Sequence, residues 1–589
     1  MSTEKLFKKA PLHKYASTSD LPSDHPPTAM PALKYKSTTD IRSKEVQRLY
    51  FELPFTATMG MPRESVYRRR SRMSILLPSA PKLELPEESV LIEEVEPEEL
   101  EHEIATGKLT PSLAVASLLA MQSTLQFGFN SGVINGCEAV VFPGHTPLEW
   151  SVVVSIFCVG GLMGAFAGGH LSNALGRRGA LMLASYVFLA SGVIMFFAPS
   201  VAWLIFARLL VGTAAGASTV FVPIYVGEIA PPMLRGILGA LSQFHLVFGI
   251  LVANVMSLSL ATEDGWRYLF AFTCVPAIIQ LALSPWLLES PRLLLMRGQR
   301  AEAAAALTQL RAVDDVDDEI NAIIDASRFE APSRAGGVLS NLDNPRVLYG
   351  LLVGCGLHLA QQLSGINAVF YYSTSFFDAI GLEDPRMGTI LVGAVNVLAT
   401  VAAIYLMDAF GHKSLLLWSV GGMLVSSVVV TLALVFGAAA PAAWNAVSVV
   451  AIMAFVSFFE IGLGPVAWLL TGLLFQAKLR SSASAVATVL NWISNFMVGM
   501  FYPMLATALG AYSWLPFTGV LAVTFAGVAW GLIETRDKTI EEIQDDIGAR
   551  VDRSSAAAAV SQHPGGVGGG ESKGLKKAFQ AGYGAALKA

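Results

Sequence analysis

The sequence predicts an all-α membrane protein of twelve transmembrane helices, arranged as two pseudo-symmetric six-helix halves between long disordered tails. Three observations predict it. Of 589 residues, 53% are apolar and only 14% charged, whereas a soluble chain carries about 45–50% apolar and about 25% charged residues. Apolar stretches long enough to span a bilayer recur along the body. Short polar signatures between them recur in the same order at a nearly constant offset.

The apolar stretches occupy about 112–135, 149–171, 180–198, 203–226, 236–260 and 267–288, then 347–378, 387–407, 414–437, 444–474, 483–506 and 512–533. A helical span needs about 20 such residues. Helices are the open-chain solution in lipid, which offers the backbone no hydrogen-bond partner. This divides the chain into an N-terminal tail (1–111), a first half (112–288), a helical linker (289–346), a second half (347–533) and a C-terminal tail (534–589).

Both tails are polar, and disorder is expected in them. The head contains Arg68, Arg69 and Arg70, ten glutamates between Glu84 and Glu103, and a short repeat, Lys14-Tyr15-Ala16-Ser17-Thr18-Ser19-Asp20 against Lys34-Tyr35-Lys36-Ser37-Thr38-Thr39-Asp40. These features make the tails candidate docking segments for cytoplasmic partners. The first 30 residues are polar and hold no apolar core of a secretory signal.

Basic residues orient the body. With both termini cytoplasmic, the inner loops hold thirteen Lys and Arg, and the outer segments hold Arg208, Arg267 and Arg386. That asymmetry obeys the positive-inside rule. The near-balance of 40 basic and 45 acidic residues suggests no nucleic-acid partner. Cys137, Cys158, Cys274 and Cys355 lie in or beside apolar stretches without metal or disulfide spacing. No metal, no cofactor and no nucleophile–base constellation is expected, so the chain does not read as an enzyme.

The inner loops carry the duplication. Gly176-Arg177-Arg178 is matched by Gly411-His412-Lys413, 235 residues on; Arg235 by Arg480 and Glu289-Ser290 by Glu534-Thr535, each 245 on. Such internal symmetry belongs to alternating-access carriers, whose site lies between repeats near the midplane.

Longer motifs identify the family. Pro223-Ile224-Tyr225-Val226-Gly227-Glu228, Glu289-Ser290-Pro291-Arg292, Gln361-Gln362-Leu363-Ser364-Gly365-Ile366-Asn367 with Phe370-Tyr371-Tyr372, Gly464-Pro465-Val466-Ala467-Trp468 and Asn491-Trp492 resemble the sugar porters of the major facilitator superfamily. The pattern is most similar to the facilitative glucose transporters and covers about 112–545. The resemblance implies a sugar as the small-molecule partner, the lipid bilayer as surroundings and the plasma membrane as the default location.

A neutral polyol needs neutral donors and acceptors, and Gln and Asn amides supply both. Candidates are Gln243, Gln361, Gln362, Asn367, Asn396 and Asn491. On a continuous helix, Asn367 would lie below Gln362 but not directly under it. Glu460 is an ionisable group near mid-membrane, which is costly and marks function. The Gly462/Gly464/Pro465 cluster after it is expected to unwind the tenth span. By resemblance Glu460 contacts the sugar, Trp468 walls the site, and Phe127, Tyr371, Tyr372 and Trp492 line the gate. Six or so hydrogen bonds at ~0.5–1.5 kcal/mol each, less the ordering cost, give millimolar affinity, which suits a carrier.

Proton-coupled relatives carry Asp in the first span, where this chain has Asn130, with Arg208 retained. Asn cannot exchange a proton, which favours facilitated diffusion of a hexose. A proton-coupled hexose or inositol symporter and a non-transporting sugar sensor are the alternatives. Resemblance also implies a cytoplasmic ion-pair network of Arg177, Arg178, Glu228, Arg235, Glu289, Arg292 and Arg480 that locks the outward-facing state. Gly472 stands where relatives carry the partner Glu of the second half. His358-Leu359-Ala360 replaces the Gln-Leu-Ser of glucose-restricted members, which leaves fructose open.

Overall fold

A computed structural model describes residues 107–329 and 337–562. The two tail sequences with their repeat, Arg cluster and glutamate run therefore lie outside the described residues, apart from 107–111 and 534–562.

Apolar composition and capping chemistry together define the helices. α1 (Pro111–Gly132) starts where Thr110 accepts the amide of Leu113 and Pro occupies the first turn, as helix starts favour. α2 (Pro147–Leu175) begins with a reciprocal capping box between Thr146 and Glu149. α3 (Arg177–Phe197), α4 (Val201–Ile229) and α5 (Arg235–Leu260) follow, then a short pair, α6 (Trp266–Ala271) and α7 (Cys274–Ala282). Polar helices α8 (Pro291–Met296), α9 (Arg300–Arg311) and α10 (Asp317–Phe329) form the linker.

The second run comprises α11 (Pro345–Leu363) and α12 (Ile366–Ala379), then α13 (Pro385–Ala409), α14 (His412–Phe436), α15 (Pro441–Phe458), α16 (Gly464–Leu473), α17 (Ala477–Leu509) and α18 (Leu515–Gly531). Among the described residues ten helices are long and apolar enough to cross a membrane. The segments Trp266–Ala282 and Leu515–Gly531 are apolar but shorter; they correspond to the sixth and twelfth apolar stretches.

Close backbone approach sets the packing. Cβ atoms added at Gly160 or Gly164 of α2 would collide with the α4 backbone near Leu209 and Thr213. Small residues are what let helices without a hydrophobic drive pack tightly in lipid.

Two expectations are corrected. The seventh stretch is not one helix: it breaks at Ser364-Gly365, with Gly365 at φ +96 against the Phe517 ring, a backbone region and a contact that a side chain would not tolerate. The tenth is not unwound but carries a π turn, Phe459–Leu463, closed by the Gly464 amide on the Phe459 carbonyl. Ser419 of α14 staples it, donating to the Phe458 carbonyl at 2.6 Å and accepting the Leu463 amide at 2.9 Å.

The segment after the last apolar stretch differs from a featureless tail. α19 (Ile540–Gln562) buries Ile543 and Ile547 completely. Its Gln544 donates to the Leu474 carbonyl at 2.7 Å. In the linker Arg311 donates to the Ile229 carbonyl at 2.8 Å, and Ile229 and Leu474 are 245 residues apart. Each appendage thus occupies an orphan carbonyl at the end of a helix, and the two helix ends correspond under the sequence repeat.

Candidate functional site

The repeat is visible in chemistry at the basic end of the bundle. Glu289 accepts the amides of Arg177 (2.8 Å), Arg178 (3.3 Å) and Ser290 (2.9 Å). Glu534 accepts those of Lys413 (3.2 Å), Thr535 (2.9 Å) and Arg536 (3.1 Å). Each carboxylate sits on the N-terminal amides of a spanning helix, where dipole and orphan donors both favour an anion.

Part of the expected ion-pair network is present among the described residues. Arg177 grips Glu228 through Nε–Oε2 and Nη2–Oε1 bonds, both 2.8 Å. Arg235 Nε donates to the Ala230 carbonyl at 3.2 Å. Arg178 and Arg480 each keep a buried Nε without a hydrogen-bond partner, and Arg292 lies in α8.

The opposite end is laced shut between the two runs. Asn135 donates to the Phe370 carbonyl at 2.9 Å and to Ser373 Oγ at 2.8 Å, and accepts the Thr374 amide at 3.0 Å. Ser375 donates to Glu138 at 2.8 Å, and Asn254 donates to the Thr389 carbonyl at 3.3 Å. Beneath this lacing, Trp492 packs against Phe127 and Phe157 with centroids 5.9 and 6.4 Å away. Tyr371 donates to Asn495 at 3.0 Å and Tyr372 to the Gly499 carbonyl at 2.5 Å, fastening α12 to α17.

Four of the predicted amides meet in one chain. Asn367 donates to the Gln362 oxygen, since the break at Gly365 turns the two side chains together instead of past one another. Gln362 donates to Asn491 Oδ1 at 2.9 Å, and Asn491 donates to Gln361 Oε1 at 2.7 Å. Gln361 donates to the carbonyls of Leu463 and Gly464, at 3.2 and 2.6 Å.

The other predicted groups lie apart from that chain. Glu460 on the π turn is buried and accepts from Thr400 at 3.3 Å, and Gln243 of α5 comes within hydrogen-bonding reach of it. Asn396, one turn before Thr400, is fully buried with both amide atoms unpartnered. Trp468 is 45% exposed and meets His358 edge to face at 4.5 Å. Sequence reasoning missed Thr400, Asn495 and Ser419. Thr400 was findable, as a polar residue at i+4 from Asn396; the others are indistinguishable from ordinary helix Ser and Asn.

Arg208 is wholly buried, and among the described residues no carboxylate is bonded to it. Its Nη1 donates to the Asn130 backbone carbonyl at 2.7 Å, its Nη2 has no partner, and the guanidinium lies 4.7 Å from the Phe157 ring centroid. The Asn130 side chain is engaged elsewhere, donating to the Gln126 carbonyl at 2.9 Å and accepting from Thr273 at 3.1 Å.

Polar groups clustered on the second helical run, with Gln243 approaching from the first and the two runs laced together at one end, fit a membrane carrier for a small polar solute. A family model described as "Sugar (and other) transporter" matches residues 115–547, and the chain belongs to that family. It is 39% identical over 462 residues to the solute carrier family 2 facilitated glucose transporter member 3 of Rattus norvegicus, covering 75% of this chain and 94% of that protein. The Homo sapiens member 3 is 38% identical over 465 residues, covering 75% and 93%.

Among solved structures, the inward open xylose transporter XylE from E. coli aligns with a TM-score of 0.63 at 26% identity, covering 74% of this chain and 99% of that one. Its partially occluded inward open form gives 0.61 at 27% identity, covering 73% and 100%. The protein is therefore a multi-pass membrane sugar transporter of the major facilitator superfamily, and its relatives are transporters, not enzymes.

Proposed function

We propose that this protein carries a hexose, glucose and by extension fructose, down its gradient by alternating access across the plasma membrane. Twelve spans, with Trp266–Ala282 and Leu515–Gly531 crossing as the shorter sixth and twelfth, put both termini on the basic, cytoplasmic side. The sugar is held by Gln243, Gln362, Asn367, Asn396, Glu460, Trp468 and Asn491, with Gln361 behind them. Phe127, Tyr371, Tyr372 and Trp492 serve as its gate.

The lacing at the opposite end, together with the likeness to inward open structures, supports an inward-facing state here. Closing the cytoplasmic side would then bring Arg178 and Arg480, whose Nε atoms lack partners, into a network across the two halves.

One observation carries the uniport reading. The residue beside Arg208 is an amide, its side chain engaged with Gln126 and Thr273, and an amide cannot gain and lose a proton with each cycle. A solved relative is described as a proton:xylose symporter, and proton coupling is the alternative to exclude. The test is hexose counterflow in liposomes holding the purified protein, with and without a protonophore. Equal rates support uniport; accumulation that collapses with the proton gradient overturns it.

A further inference from the structure

A row of buried polar side chains joins α1 to α7 within the first helical run. Ser123 donates to Gln280 Oε1 at 3.2 Å, and Thr273, just before the first residue of α7, donates to Asn130 Oδ1 at 3.1 Å. The two bonds are seven residues apart on each element and run in opposite directions, the register of an antiparallel helix pair. That register sets Gln126, three residues after Ser123, opposite Ala277, three residues before Gln280. Around α1, Gln126 lies within about 60° of both Ser123 and Asn130, so the three share one face.

Gln126 is fully buried, and neither its Nε2 nor its Oε1 has a hydrogen-bond partner among the described residues. Gln280 is 1% exposed and keeps an unpartnered Nε2. Turning the Gln280 amide over does not remove the surplus. Its Oε1 is met by the Ser123 and Ser185 hydroxyls, which can accept as well as donate; they would then take Nε2 and leave Oε1 alone. Ala277, also fully buried, offers only a methyl group at this level of the seam. A dry, well-packed seam would carry apolar side chains here, because an amide buried without partners is costly.

We propose that the α1–α7 seam binds a water molecule between Gln126 and Gln280, beside Ala277. Water fits the chemistry: it accepts the Gln280 N–H, donates to Gln126 Oε1, and is small enough to lie against a methyl group. Ser123, Gln126, Asn130, Ser185, Thr273 and Gln280 carry no charge, so the row suits a neutral ligand. A buried water with two to four such partners is a fixed part of a fold. This one ties α1 to α7 whichever sugar is carried.

The test is a high-resolution cryo-EM structure of the full-length protein in lipid nanodiscs, paired with thermal melting of variants. A density peak should lie within about 3.2 Å of both amides. Direct bonding of the two amides to each other, or no peak between them, overturns the proposal. Gln126→Leu strands the water and should lower the melting temperature by about 2 °C or more. An unchanged or raised melting temperature, the result of removing an amide bonded to nothing, overturns it. Gln280→Leu alone and combined with Gln126→Leu separates the bridge from lost packing. The double variant should lose less than the two single losses together, since both break the same bridge; additive losses overturn the proposal. If the variants do not fold, the density decides.

Discussion

Arg177 and Glu228 face each other in a fork-to-fork pair, two parallel bonds of 2.8 Å between side chains that are 7% and 12% exposed. Geometry of this kind is specific to guanidinium. Glu228→Gln should lower thermal stability in detergent by the equivalent of about 3 kcal/mol, because it leaves a largely buried Arg uncompensated. Arg177→Lys should not restore the wild-type melting temperature, since a single ammonium cannot make both bonds.

Placing an acid at position 130 should not convert the protein into a proton-driven pump. The Asn130 amide donates to the Gln126 carbonyl, so Asn130→Asp sets a carboxylate oxygen against that carbonyl while Arg208 remains on the backbone oxygen. The expected result is reduced hexose flux with no accumulation above equilibrium in an imposed pH gradient, read with radiolabelled sugar in liposomes.

Gln362→Ala should cut hexose uptake at least about tenfold at unchanged surface abundance, because it removes the link between Asn491 and Asn367 at a half-buried position. Near-normal uptake would exclude Gln362 from the site.

The appendages should matter for stability more than for selectivity. Gln544→Leu and Arg311→Met each expose a helix-end carbonyl that is now occupied, and each should destabilise by about 1–3 kcal/mol. Truncation after 539 removes Ile543 and Ile547 from the core and should lower the melting temperature markedly. Hydrogen exchange at the ends of α4 and α16 would localise the effect.

Much of this was legible in the sequence because membrane helices are written in composition, and the duplication in charged punctuation. Gly176-Arg177-Arg178 with Gly411-His412-Lys413, and Glu289 with Glu534, could be matched from offset alone; the structure adds that each carboxylate sits on the helix start of its own half. The amides were legible because neutral polar groups stand out in apolar spans. What spacing could not give was direction. Extrapolating one regular helix from Gln362 to Asn367 misplaced their relation, since Gly365 takes a backbone conformation that periodicity does not encode. The same limit applied to the Gly462–Pro465 cluster, where Ser419 from another helix turns a break into a π turn.

The two capping contacts at Ile229 and Leu474 make the appendages fixed markers. The linker helices attach to α1 and α4, through Thr110 on the Leu310 carbonyl and Arg311 on Ile229. α19 attaches to α11 and α16. A pair of spectroscopic labels, one on α9 and one on the exposed side of α19, would therefore ride on different halves of the carrier. Their separation would report each stroke of the cycle in real time, without a probe in the path that the sugar takes.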